Sequence, residues 1–394
     1  MENQIGQLTM SQNRLPKSAY TDNEYYILEQ KLLFSNQWTF AGLTEDITNP
    51  GDFITLDVGL CNLIILKQEN GELAAFHNVC RHRGTRLLDG KGHLASNITC
   101  PYHKWNYRLN GELAILPKYD TEFTQSEKSC LDLIPAQVEI WRGMIWVHPD
   151  IEGTKLQDWF GPIEPCIAPY QISDLVESDE DTYIEDIKAN WKIVVENFID
   201  HYHNAHLHEG SLHMYQHDRA ESGFVGKHFW YWEPITNDYR KDVEHNAPLP
   251  LIMDPNDEKL GSWVPLLFPN TGLVESESSW SVFHIQPIAV DRTRVLVRTK
   301  VQPCTTLDYL KQTATSYDYW NKKVKSKRSW HDPESPLSSG DFIHEDVHVC
   351  EHLQKSLNNP YFEFGPSAKN GESAVRQFQQ FIDEMISPHW QNSQ

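Results

Sequence analysis

Apolar positions fall into two regimes along the chain. Between Gly51 and His148 they come in short runs, Phe53–Val58, Asn62–Lys67, Glu72–His77 and Met144–His148, punctuated by Glu69-Asn70-Gly71, Asp89-Gly90 and Asn110-Gly111. Runs of that length bounded by turn residues predict strands, and together they predict a small all-β module of roughly a hundred residues. Ahead of it, Tyr25, Leu28 and Leu32 recur at helical spacing, so the first half of Asp22–Phe40 reads as a helix. Beyond Asp150 the pattern is mixed. Asn190–His208, Thr306–Lys325, Phe342–Leu357 and Ala374–Ile386 read as helices, whereas Trp280–Ile285 and Thr293–Val301 read as strands, the second strongly alternating. The expected fold class is α+β. It has an N-terminal helical segment over 1–44 packing on the larger domain, a β domain over 45–150 and an α+β domain over 151–394.

Length and charge narrow the possible functions. At 394 residues the chain exceeds the ~250–300 that one core usually supports. A formal net charge of −21 argues against nucleic acid, whose phosphates need a basic surface. It suits docking to a partner with a basic patch, although a solvated acidic surface is the plainer reading. No stretch reaches the ~20 apolar residues of a membrane span, and the opening MENQIGQLTM lacks a signal-peptide pattern. Seven cysteines, odd in number and scattered, do not look like a disulfide framework. A reduced, cytoplasmic protein is expected.

Candidate chemistry begins inside the β module. Cys80-Arg81-His82 and Cys100-Pro101-Tyr102-His103 form a C-x-H and a C-x-x-H with seventeen residues between them. Two thiolates and two imidazoles can hold zinc tetrahedrally, or a [2Fe–2S] cluster with Cys on one iron and His on the other. Each half is short enough for one loop to supply a ligand to each iron. Gly84, Gly90 and Gly92 permit tight loops, and Tyr102 and Trp105 are placed to shield a cluster. On ligand chemistry alone, zinc stays open.

With this motif the sequence resembles the α subunits of Rieske non-haem iron oxygenases. That broad ring-hydroxylating family includes choline, glycine-betaine and carnitine oxygenases. The resemblance spans Trp38 to about Leu357. It implies that Cys80, His82, Cys100 and His103 bind the cluster, and that the larger domain is a helix-grip-like catalytic domain with a mononuclear Fe(II).

The second motif is Asn190-Trp191-Lys192, then Glu196-Asn197-Phe198, Asp200, His203 and His208. Iron oxygenases of this type use two His and one carboxylate on one face of the metal. A five-residue step puts His203 and His208 ~140° apart on a regular helix, so they converge only if the helix ends or bends between them. His203 with His206 would suit a regular helix better. The resemblance selects His208, leaving His201, His206, His213 and His217 as surface or packing residues. For the carboxylate, Ile343, Val347, Cys350, Leu353 and Leu357 mark an apolar helix face. Asp346 falls on that face, with Glu345 and Glu351 toward solvent. The stretch E-D-x-x-x-C-E-x-x-Q resembles the family's third-ligand helix and selects Asp346 as well. The resemblance also implies that Asp200 bridges His203 and, across a subunit interface, His103.

The implied activity is that of a terminal oxygenase acting on O2 and a small organic substrate, by hydroxylation or oxidative demethylation. Aromatic-ring cis-dihydroxylation is the alternative. No G-x-G-x-x-G follows a strand, so NAD(P)H would act through a separate reductase or ferredoxin. The family assembly implied is a homotrimer. Aromatic residues between Glu209 and Trp280, among them Phe224, Trp230, Tyr231 and Trp263, are expected to line much of the pocket. They suit a quaternary ammonium by cation–π attraction, or a plain hydrocarbon. Of two further readings, a Rieske electron carrier leaves the second motif without purpose, and a zinc-stabilised binding protein predicts a colourless chain with no iron.

Overall fold

The computed structural model describes residues 15–118, 120–169, 172–246, 249–308, 310–311 and 335–390. The chain divides into two compact units. One runs from Ile27 to Gly161; the other joins the residues up to Tyr26 with those from Pro162 onward. These boundaries differ from the expected 44/45 and 150/151, and the first falls within the helix Asn23–Leu32.

The smaller unit is built on β1 (Thr39–Leu43), β2 (Asp52–Val58), β3 (Cys61–Lys67), β4 (Leu73–His77), β5 (Lys91–His93), β6 (Asn97–Thr99), β7 (Asn106–Arg108), β8 (Leu113–Ile115), β9 (Pro135–Trp141) and β10 (Met144–His148). Seven of them form one sheet in the order β1-β10-β9-β4-β3-β2-β5, and β6-β7-β8 form a small second sheet. Strand β3 explains why its sequence is a continuous apolar run. Leu63 and Ile65 face one buried cluster with Ile145 and Val147, while Ile64 and Leu66 face another with Phe76, Cys80, Cys100, Trp105 and Tyr107. A strand covered on both faces carries no alternation. The second cluster places both cysteine loops directly over the sheet.

The larger unit is an antiparallel sheet of β11 (Val176–Glu177), β12 (Tyr183–Ile187), β13 (Glu221–Val225), β14 (His228–Pro234), β15 (Gly261–Trp263), β16 (Leu266–Leu267), β17 (Thr271–Glu275), β18 (Ser279–Ala289) and β19 (Arg292–Val301). The order β11-β19-β18-β17-β15-β14-β13 forms its path; β12 also pairs with β19, and β16 with β14 and β17. The helix Trp191–Ile199 lies against β18, where the Phe198 and Phe283 rings are 6.0 Å apart. Asn190 caps it, accepting from the Lys192 backbone and donating to the Val290 carbonyl.

Two helices cover the first. Phe342–Leu357 matches its expected bounds and is capped by Asp341, which accepts from the Ile343 backbone at 2.9 Å. Its Gln354 accepts from the Asn190 backbone at 2.8 Å. The helix Ser373–Trp390 buries Ala374, Phe378, Ile382, Ile386 and Trp390, and the last of these carries the apolar stripe past the expected end at Ile386. The helix expected over Thr306–Lys325 is helical at 306–308 and 310–311; the remainder lies outside the described residues.

Candidate functional site

The two cysteine loops share one construction. The Cys80 amide donates to the Thr85 carbonyl and the Gly84 amide to the Cys80 carbonyl; Cys100, Trp105 and Lys104 repeat both bonds. The fifth residue of each loop, Gly84 or Lys104, is left-handed, with φ +77° and +61°. Both thiols are buried and both imidazoles exposed at the surface. His82 Nδ1 and His103 Nδ1 face each other at 3.2 Å. Trp105 is buried and stacks on His82 at 4.6 Å, but Tyr102, expected to shield the site, is 57% exposed and packs on the His103 ring.

Tyr107 was not apparent from the sequence. Its hydroxyl lies 3.4 Å from Cys80 Sγ and accepts from the Arg81 amide at 3.0 Å. Burial pushes the Cys80 thiol up, with the Tyr107 bond working against that and the neighbouring Cys100 adding to it. A thiolate here therefore needs a cation. Two buried sulfurs and two facing imidazole nitrogens are the donor set of a [2Fe–2S] cluster with Cys on one iron and His on the other.

The second site forms where the predicted helix breaks. Helical structure stops at Ile199, Asp200 has ψ +100°, and Asn204–Leu207 forms a separate turn of helix. Asp200 Oδ1 accepts from the Tyr202 amide at 3.0 Å, a local bond that competes with helix continuation. His203 and His208 flank the short turn Asn204–Leu207 as its two caps, and their Nε2 atoms meet 3.1 Å apart. Asp346 Oδ1 stands 3.5 Å from His203 Nε2 and 3.1 Å from His208 Nε2. Asn197 Nδ2 donates to the same oxygen at 3.2 Å.

These ligand atoms all lie within 4.8 Å of one another, and no other such group occurs among the described residues. The opposite nitrogen of each ring meets a carboxylate: His203 Nδ1 is 3.2 Å from Asp200 Oδ2, and His208 Nδ1 is 2.8 Å from Glu345 Oε2. With a proton on each Nδ1, two Nε2 lone pairs and a carboxylate oxygen converge on one point. Such an arrangement repels itself unless a metal ion or a proton sits within it. Donors 3.1 to 3.5 Å apart are close enough for one metal ion to be held by all three. Burial lowers the His208 pKa, but the carboxylates of Asp346 and Glu345 outweigh it and hold the metal-free imidazole up to about 9.

Glu345 corrects the sequence reading. Expected toward solvent, it is fully buried, and so are Cys350, Gln354 and Leu357, while Leu353 is 40% exposed. The buried stripe is rotated from the apolar pattern because two polar side chains, Glu345 and Gln354, belong to it. Among the other histidines, His206 is exposed, His213 bonds the Gly210 carbonyl and His217 bonds Glu233, and none enters the three-ligand group. Of the aromatic residues expected at the pocket, Tyr231 and Trp263 are buried, and Phe224 and Trp230 half-buried.

A second polar cluster sits on the same unit. Glu233 accepts from Tyr231 at 2.9 Å and meets His217 Nδ1 at 2.7 Å; Glu277 accepts from Tyr215 and Tyr239 at 3.2 and 2.6 Å. Both carboxylates are buried. The Tyr231 ring is 5.7 Å from His201, in the segment between Asp200 and His203.

Comparison with known proteins places both sites in context. Residues 173–388 match the model for "Ring hydroxylating alpha subunit (catalytic domain)", and residues 37–133 match "Rieske [2Fe-2S] domain". The chain is 26% identical to the glycine betaine monooxygenase oxygenase subunit of Chromohalobacter salexigens, an alignment covering 95% of this chain and 86% of that protein. It is 31% identical to the carnitine monooxygenase oxygenase subunit of Acinetobacter pittii over 52% of this chain and 55% of that one. In fold it is similar to a quaternary ammonium Rieske monooxygenase solved with L-carnitine, with a TM-score of 0.71, 21% identity and 96% of each chain covered. A naphthalene 1,2-dioxygenase from Rhodococcus sp. bound to indole matches with a TM-score of 0.68 and 18% identity, over 95% of this chain and 94% of that one.

Proposed function

The chain belongs to the ring-hydroxylating α-subunit family, whose catalytic-domain model covers more than half of it, and from that premise we propose that His203, His208 and Asp346 hold the mononuclear iron of a Rieske oxygenase. Cys80, His82, Cys100 and His103 hold its [2Fe–2S] cluster. The observation that carries the reading is the convergence of His203 Nε2, His208 Nε2 and Asp346 Oδ1, each 3.1 to 3.5 Å from the others.

When bound, the cluster supplies one-electron transfer and the iron supplies O2 activation. The chain's own residues orient these groups. Asp200 fixes the His203 ring through Nδ1, and Trp105 packs on the His82 face. Asp200 keeps 22% of its side chain exposed, and His103 lies at the surface. Both facts suit a homotrimer in which Asp200 of one subunit meets His103 of the next. Electrons enter from a separate NAD(P)H-dependent reductase or ferredoxin. Seven cysteines without a disulfide suit the reduced cytoplasm.

The substrate we assign is a small organic cation carrying N-methyl groups. Its support is the likeness to oxygenases named for glycine betaine and carnitine, together with the buried Glu233 and Glu277 set among tyrosines, a cation-friendly arrangement. One oxygen atom enters a methyl C–H bond, and the other leaves as water with a pair of electrons and protons from the reductase. The hydroxymethylamine then releases formaldehyde.

Anaerobic purification with iron, zinc and sulfide analysis tests the reading. About three irons and two sulfides per chain are expected, falling to about two irons in His203→Ala. Formaldehyde from a trimethylammonium acid, with a surrogate reductase, supports demethylation; a cis-diol from an aromatic hydrocarbon without formaldehyde moves the assignment to ring dihydroxylation. Zinc without sulfide overturns the oxygenase reading.

A further inference from the structure

His208 is gripped at both ring nitrogens by adjacent residues of one helix. Glu345 Oε2 lies 2.8 Å from Nδ1, and Asp346 Oδ1 lies 3.1 Å from Nε2. Ser211 Oγ donates to the same Glu345 oxygen at 3.0 Å. The pair is sealed from water, His208 being 2% and Glu345 0% exposed. Glu345 Oε1 has no hydrogen-bond partner among the described residues. A buried carboxylate oxygen left without a partner is destabilising. Burying the whole charge costs further unless an opposite charge lies close by. The first three residues past the cap, Phe342 to His344, lie nearer the helix end and are better placed to use its dipole. Glu345 instead turns inward, to an imidazole whose other nitrogen faces the convergence of His203 and Asp346.

Resting on the iron-site reading, we propose that Glu345 is a positioning residue of that site. Its carboxylate fixes His208 as the Nδ1–H tautomer, sets the plane of the ring and makes Nε2 a stronger donor to the metal. Asp200 does the same for His203 from within the local turn. The two imidazoles are therefore braced by carboxylates of different origin, one local and one 137 residues away. The helix Phe342–Leu357 has two tasks at adjacent positions, supplying Asp346 as a ligand and orienting His208 through Glu345. A shift of that helix withdraws one ligand and releases the other together.

The test is Fe(II) affinity, measured anaerobically by equilibrium dialysis on protein that keeps its cluster but has been stripped of mononuclear iron. Glu345→Gln keeps the shape and removes the charge. It is expected to weaken Fe(II) binding about 10- to 100-fold while the visible spectrum of the cluster and the melting temperature stay as in wild type. Glu345→Asp, which keeps the charge but draws it back by one methylene, is expected to weaken binding less. Wild-type affinity in Glu345→Gln overturns the proposal, since a merely structural role would leave the affinity unmoved. If the Gln variant loses the cluster spectrum, the Asp variant decides: weakened iron binding supports the proposal and wild-type affinity overturns it. Wild-type protein that takes up no iron beyond the cluster, or uptake that survives His203→Ala, overturns the iron-site reading itself and the proposal with it.

Discussion

Tyr107 reaches Cys80 Sγ at 3.4 Å from strand β7, fully buried, and its hydroxyl is the side-chain group hydrogen-bonded to that sulfur. A donor to a cluster ligand stabilises the reduced, more negative state. Tyr107→Phe should therefore lower the midpoint potential. A bond worth about 1 kcal/mol corresponds to about 40 mV for one electron. Protein-film voltammetry on wild type and variant measures it, and an unchanged midpoint would show that the contact does not tune the cluster. The residues proposed as ligands stand out in the sequence because ligand spacing constrains them, as with Cys80, His82, Cys100 and His103. Residues that brace the ligands do not. Tyr107 sits outside both motif halves, and Glu345 was misplaced because a helix stripe was judged by apolar side chains alone. The adjacent acids Glu345 and Asp346 were visible, but hydrophobicity gave no ground for turning both inward.

Turns decide how the smaller unit closes around its loops. Gly84 and Gly111 both have positive φ, +77° and +86°. They differ in what a side chain would meet: nothing lies within 4 Å of a Cβ at Gly84, whereas one at Gly111 would run into the Phe76 ring. Gly84→Ala should cost only the left-handed strain, about 1 kcal/mol. Gly111→Ala adds overpacking of the core beneath and should cost about 3 kcal/mol. Urea titrations followed by loss of cluster absorbance would compare them, and equal losses would mean that the Phe76 contact relaxes freely. Several strands and the helix Phe342–Leu357 were legible at this scale because their periodicity and caps agree. The long helix expected over Asn190–His208 was not continuous. Its apolar spacing reads as helix, and the Asp200 side chain bonding to the Tyr202 amide competes with continuation, a local choice that the spacing does not show.

Contacts that hold the larger unit together join residues far apart in the chain. Tyr20 donates to Glu196 Oε1 at 2.6 Å and Gln379 donates to the same oxygen at 3.2 Å, across 176 and 183 residues. No local pattern encodes such a meeting, so the role of Glu196 stayed unread although its place in the second motif was plain. It lies one turn before Asp200, and the network ties Tyr20 and the helix Ser373–Trp390 to the helix that leads toward His203 and His208. Burial raises the Glu196 pKa to about 7, against the opposing bonds from Tyr20 and Gln379 and the nearby Lys192. The ordinary value is 4.5, so between about pH 4.5 and 7 the folded protein binds a proton that the unfolded chain has released. Stability must then fall as pH rises through that window, by up to about 3 kcal/mol at pH 8. Glu196→Gln still accepts both hydrogen bonds but cannot ionise. Its unfolding free energy relative to wild type should be favourable to the variant by about 1 kcal/mol at pH 5 and about 3 kcal/mol at pH 8. Urea unfolding at both pH values measures that difference. A variant whose advantage is the same at pH 5 and pH 8 would show that Glu196 ionises in the folded protein as freely as in the unfolded chain, and that the network bears no charge penalty.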